Sequence, residues 1–291
     1  MFEREGDASY LDTFERTLYN GYLSGVSADG KAFFYQNPLE SDGSAARSTY
    51  FEVACCPANL ARLMGQLSGM TYATSANALY VALFAGSTAT LTVAGQPVTV
   101  VQQTRYPWDG AVSIRLQPAR PTEFALKVRI PGWARNEAVQ SDLYRYDTPI
   151  PDQPVLRVNG EPVRTAVNRG FATIAREWTA GDLVELQLPM PIRRVRANSQ
   201  VTADRSKVAL QRGPVVYAFE GIDNGGRVLD LRLPADATLK HEFRPALLNG
   251  LEVITADLPP AAASREKTIT AVPYLAWANR GKGEMAVWIT Q

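Results

Sequence analysis

The chain has 291 residues, 46% of them apolar and 20% charged, enough to bury real cores and far from the composition of a disordered tail. Thirty basic residues balance 29 acidic ones for a net charge of +1, and the 24 Arg and 6 Lys are scattered, which excludes binding driven by phosphate neutralisation. No apolar run approaches the ~20 residues of a membrane helix, and the polar opening Met1-Phe2-Glu3-Arg4-Glu5 is not a signal peptide.

Residues 8–23 space Tyr10, Leu11, Phe14 and Leu18 by three and four, predicting an amphipathic helix capped by Asp7 and stopping near Gly21–Gly25. Residues 24–50 read as loop, with an aromatic run Phe33-Phe34-Tyr35 and a turn at Asp42-Gly43. A second helix is expected to start right at the cysteines, with Pro57 in its first turn, Leu60, Leu63, Met64 and Leu67 on one face and Gly69 as the stop. Cys55 and Cys56 then lie just ahead of a helix N-terminus, where backbone N–H groups favour a thiolate.

From about residue 77 the apolar period falls to two. Leu79, Val81 and Leu83 alternate, as do Leu91 and Val93, and Val98 and Val100. Phe124, Leu126, Val128 and Ile130, interleaved with Ala125, Lys127 and Arg129, predict a half-buried antiparallel strand with the latter set outward. Asn159-Gly160 between apolar runs predicts a tight hairpin, and Val184, Leu186 and Leu188 a further strand. Past Pro189-Met190-Pro191 come Val208-Ala209-Leu210, the Gly213-Pro214 break, Val215-Val216-Tyr217, an exposed loop over 255–268 and a closing strand Met285–Ile289. The expectation is a mostly β chain: helical residues 1–75, one β-sandwich over 76–190 and a second over 191–291. Two helices cannot enclose a core. They either dock on the sandwiches or belong to a larger helical domain upstream; the second reading is preferred.

The chemistry is sparse. The two adjacent cysteines cannot cross-link distant segments, and two free thiols lean weakly towards a reducing compartment. His241 is the single histidine, too few for His-based metal or triad sites. The Cys55–Cys56 pair reads as buried core, as a rare vicinal disulfide, or as metal ligands with a nucleophile. Spacing alone favours core. Two thiolates are half of a zinc shell; the nearest carboxylates are Glu40 and Glu52, and His241 is remote and charged-flanked, a poor partner for a thiol dyad. Trp108, Trp133, Trp178, Trp277 and Trp288 read as core before sugar platforms, and no paired carboxylates stand out among 29 acids.

The segment Phe51-Glu52-Val53-Ala54-Cys55-Cys56-Pro57-Ala58-Asn59-Leu60-Ala61-Arg62 resembles the double-cysteine motif of glycoside hydrolase family 127, the β-L-arabinofuranosidases, and of the related family 146. Leu18–Gly21, Leu23–Ser27, Gly30–Leu39, Leu210–Pro214 and Trp277–Gly281 match in the same order. The resemblance implies the last helices of an (α/α)6-barrel followed by two β-sandwiches. It implies a retaining glycosidase in which Cys55 is both nucleophile and zinc ligand, Cys56 a zinc ligand, and Tyr35 a residue lining the sugar site. The family's upstream Glu-x-Cys, acid/base and sugar-holding histidines have no match here. The expectation is therefore half an enzyme, with an incomplete zinc site and no activity by itself. The implied ligand is an arabinose-containing oligosaccharide or glycan, with no nucleic acid or membrane; a homodimer or a missing N-terminal half stays open, as does a cytoplasmic or periplasmic address.

The competing reading is a non-catalytic sugar-binding or structural sandwich module. The enzyme reading expects an exposed apolar face on residues 8–23 and 57–70; the module reading expects that face covered and Trp rings exposed on a sandwich.

Overall fold

The computed structural model describes residues 1–258 and 267–291. The chain forms two compact units, Met1–Glu15 with Gly65–Glu137 and Ile150–Met190, and Arg16–Met64 with Ala138–Pro149 and Pro191–Gln291. Met1–Glu15 and Arg16–Met64, both within the front of the chain, thus belong to different units.

The first unit is a β-sandwich of a six-stranded and a five-stranded sheet. Alternation builds it: Val98 and Val100, Ile114 and Leu116, Val184 and Leu186 point inward from one sheet, Phe124, Leu126 and Val128 from the other, and all are buried. Burying each such side chain contributes about 1.5–3 kcal/mol. Asn159 (φ 52°) and Gly160 (φ 86°) make the two-residue turn joining Val155–Val158 to Glu161–Val163, as expected, because both left-handed positions match the strands' twist.

The strand Thr122–Arg129 departs from expectation twice. It pairs antiparallel with Phe171–Trp178 but parallel with Ala78–Val81. Arg129, read as outward-facing, is fully buried. Its guanidinium meets Asp12 at 2.8 Å and Glu15, both on the helix Ser9–Thr17. Tyr106 donates to the same Glu15 at 2.7 Å, and Arg135 reaches Asp12 at 3.2 Å. Burial disfavours the Arg129 charge, and Glu15, Tyr106 and Asp12 outweigh that, so its pKa is raised. Asp7 caps the helix as expected, accepting the Ser9 N–H at 2.8 Å.

In the second unit a ten-stranded sheet runs from Thr238–Arg244 at one edge to Tyr144–Tyr146 at the other. Val208, Leu210, Tyr217, Phe219, Val253, Ile269 and Met285 fill its core. Glu40–Asp42, expected as loop and turn, adds a short strand against Glu284–Ala286. The expected closing strand is two pieces, Glu284–Ala286 and Ile289–Thr290. Of the expected 255–268 loop, residues 255–257 complete the strand Leu251–Asp257, Thr268 opens Thr268–Pro273, and 259–266 lie outside the described residues.

The two front helices fare differently from what their patterns suggest. The first runs as α-helix only to Thr17, then as a π-helical turn Leu18–Tyr22 and a 3-10 turn Leu23–Gly25. Its face is not left open: Ala8 and Leu11 are buried with Ala82 and Phe171, and Tyr22 is buried too. The second begins at Cys55, as expected, but ends at Met64, short of Gly69, with no residue fully buried. No helix among the described residues is long and apolar enough to cross a membrane.

Candidate active site

Cys55 and Cys56 occupy the first turn of the Cys55–Met64 helix, because Pro57 can sit in that turn without wasting an N–H. Both are free thiols; Cys55 is exposed and Cys56 half-buried. Exposure overturns the core reading that spacing favoured, since neither sulfur is packed away. A vicinal disulfide is absent, with the sulfurs 3.8 Å apart.

Tyr35 is the residue the fold adds to the pair. The loop after the 3-10 turn brings its hydroxyl to 2.8 Å from Cys55 Sγ. Its ring lies 5.3 Å from that of Phe51, which closes one flank. The hydrogen bond from Tyr35, then that from Cys56, lowers the Cys55 pKa, and the helix-start N–H groups add to this. The same bond pushes Tyr35 up to about 12, and the hydrogen bond with Cys55, then burial, raises Cys56. A Tyr35 hydroxyl that donates across this 2.8 Å contact favours the ionised form of Cys55.

Asn59 and Arg62 belong to the same helix turn and were given no role from sequence. Asn59 donates to the Cys55 carbonyl at 3.0 Å, and Arg62 holds the Asn59 oxygen at 2.7 Å. Their i, i+3 and i+4 offsets from Cys55 and Asn59 are the signal that could have found them.

The two sulfurs fit zinc in part. Two Zn–S bonds of about 2.3 Å in a tetrahedron place the sulfurs roughly 3.8 Å apart, the separation seen here. They supply two donors of four. Among the described residues no three His, Cys, Asp or Glu come together as a metal set. Glu40 instead pairs with Lys207 at 3.4 Å, Glu52 is exposed, and His241 contacts Glu252 on the neighbouring strand. The thiol–histidine dyad therefore finds no support. Three of the five Trp are buried and two half-buried, so none offers an open sugar platform.

Three consecutive family models match the chain: "Beta-L-arabinofuranosidase, GH127 catalytic domain" over residues 1–69, "Beta-L-arabinofuranosidase, GH127 middle domain" over 78–190, and "Glycoside hydrolase family 127 C-terminal domain" over 192–290. The non-reducing end beta-L-arabinofuranosidase of Bifidobacterium longum subsp. longum is 33% identical across 99% of this chain and 46% of its own length. A solved GH127 beta-arabinofuranosidase superposes with a TM-score of 0.93 at 40% identity, covering 99% of this chain and 46% of that one. A GH127 beta-L-arabinofuranosidase from Geobacillus stearothermophilus gives 0.87 at 39% identity, covering 100% and 47%. The chain thus spans about half the length of the relatives it matches.

Proposed function

The chain belongs to glycoside hydrolase family 127, and from that premise we propose that it is the cysteine-bearing part of a retaining β-L-arabinofuranosidase. The observation that carries the reading is the exposed Cys55 sulfur, held by a Tyr35 hydroxyl at 2.8 Å and flanked by Cys56. The packed face of residues 8–23 is what the module reading expected; the uncovered Cys55–Met64 helix and the lack of an open Trp platform among the described residues favour the enzyme.

Cys55 Sγ attacks the anomeric carbon of an L-arabinofuranoside. A carboxylic acid protonates the departing oxygen, leaving a thioglycosyl enzyme; its conjugate base then activates the water that releases arabinose. Tyr35 donates to the sulfur and faces the sugar. Cys55 and Cys56 are two ligands for zinc, which when bound keeps the attacking sulfur ionised. The remaining ligands and the acid/base come from residues outside this 291-residue sequence, so the chain alone binds the metal weakly and turns over no substrate.

Zinc titration with a competing chromogenic chelator, paired with β-L-arabinofuranosidase assays, tests this. We expect weak zinc uptake lost in Cys55→Ser and in Cys56→Ser, and activity only in a form extended towards the relatives' length. Turnover by the 291-residue chain alone, or full activity of an extended Cys55→Ser enzyme, contradicts it.

A further inference from the structure

We infer that the irregular turn over residues 18–25 is the frame that sets the Tyr35–Cys55 contact, with Asn20 and Tyr22 as its positioning residues. The cysteine helix has no fully buried residue of its own, only half-buried ones such as Leu60 and Leu63, so a packed core does little to fix where Cys55 sits. Its visible anchors converge instead on one short stretch. The buried Tyr22 donates its hydroxyl to the Leu60 carbonyl, in the middle of that helix. Three residues on, Gly25 lies against the Leu60 side chain; a Cβ there would come to 3.4 Å from Leu60 Cδ1.

The Tyr35 loop hangs on the same stretch from the other side. The Gly25 carbonyl accepts the Phe34 N–H at 2.9 Å, one residue before Tyr35. Asn37, two residues after it, donates to the Gly21 carbonyl at 2.8 Å. Hydroxyl donor and sulfur acceptor are thus referred to a common piece of backbone.

That backbone is π-helical over Leu18–Tyr22, a rare geometry met mostly as single turns within α-helices, and here it has outside support. Asn20 supplies the support with both ends of its amide. Its oxygen accepts the Val216 N–H at 2.7 Å, and its nitrogen donates to the Pro214 carbonyl at 2.8 Å. Both partners lie at the tip of the hairpin joining Lys207–Arg212 to Val215–Glu220, central strands of the large sheet. Leu18–Gly21 and Leu210–Pro214, two motifs without a chemical role of their own, here acquire one: they tie the cysteine helix to the sheet.

The inference rests on the proposed role of Cys55 only for its catalytic consequence, and its test needs neither substrate nor metal. In the chelator-treated chain, amide exchange of residues 55–64 and the ratio of Cys55 to Cys56 alkylation at one pH are compared between wild type, Tyr22→Phe, Asn20→Asp and Asn20→Ala, well below each melting temperature. Tyr22→Phe removes one hydrogen bond and keeps the buried ring. It should speed exchange in 55–64 by about fivefold and change the alkylation ratio, with the core strands unaffected. Asn20→Ala should do more and extend the effect to 33–37; Asn20→Asp, which keeps the acceptor for Val216, should fall between. Unchanged exchange and labelling in the Tyr22→Phe protein overturn the inference even if Asn20→Ala fails to fold. Altered labelling in a chain whose Cys55 proves not to be the nucleophile would sink the catalytic reading and leave the frame standing.

Discussion

The two helices at the front of this chain are held in opposite ways. Ser9–Thr17 is sealed: Leu11 packs with Ala8, Ala82 and Phe171, and Asp12 and Glu15 meet a fully buried Arg129. Cys55–Met64 buries no residue fully and is held by a few hydrogen bonds and the half-buried Leu60 and Leu63. The contrast follows from what each must do. A structural helix gains by excluding water, and a buried charge there survives only because its partners are in place. Under the proposed function, the Cys55 sulfur must ionise and meet a sugar, and the same burial would disable it, since desolvation raises a thiol's pKa.

The largest effect should come from the open helix. Cys55→Ser in a catalytically complete form is expected to lower kcat on the order of 10⁴-fold or more, the scale for loss of a nucleophile, read by release of arabinose; a residual rate near wild type would erase the distinction. On the sealed helix, Arg129→Ala strands Asp12 and Glu15 and should cost about 3–5 kcal/mol in urea unfolding. Leu11→Ala should cost about 2–4 kcal/mol by the same measurement.

Tyr35→Phe sharpens the chemical side. The Tyr35 bond lowers the Cys55 pKa, so its removal should move the pH midpoint of Cys55 alkylation upward, measured by mass spectrometry across a pH series; a downward shift would mean that the sulfur, not the phenol, is the donor. Last, Met64, 50% exposed on the open helix, should tolerate serine within about 0.5 kcal/mol. A loss comparable to that of Leu11→Ala would show the two helices to be equally buried after all.

Much of this was legible in the residues. Period-two alternation over 124–130 and 184–188 located buried strands, and Asn159-Gly160 located its hairpin, because side-chain direction and turn sterics are local properties. Arg129 was misread by that same rule. Alternation says which face a residue takes, and a guanidinium is assigned to water unless a carboxylate far away in sequence is known to meet it; Asp12 and Glu15 are more than 110 positions distant. The first helix was read as uniform because spacing alone carries no sign of a π-turn, which Asn20 supports through a hairpin some 195 residues downstream. The double-cysteine motif pointed to the family and singled out Cys55 and Cys56, and the Phe33-Phe34-Tyr35 segment singled out Tyr35, yet composition alone would have buried the pair.

The sequence by itself determined the mostly β architecture and the helix that begins at the cysteines, since each rests on neighbours a few residues apart. Only the tertiary structure decided that Cys55 is exposed, that the hydroxyl of a tyrosine twenty positions earlier lies 2.8 Å from its sulfur, and that an arginine on a strand lies dry between two acids. Those are contacts between segments brought together by chain folding, and their strength depends on distance and water exclusion that no local pattern encodes.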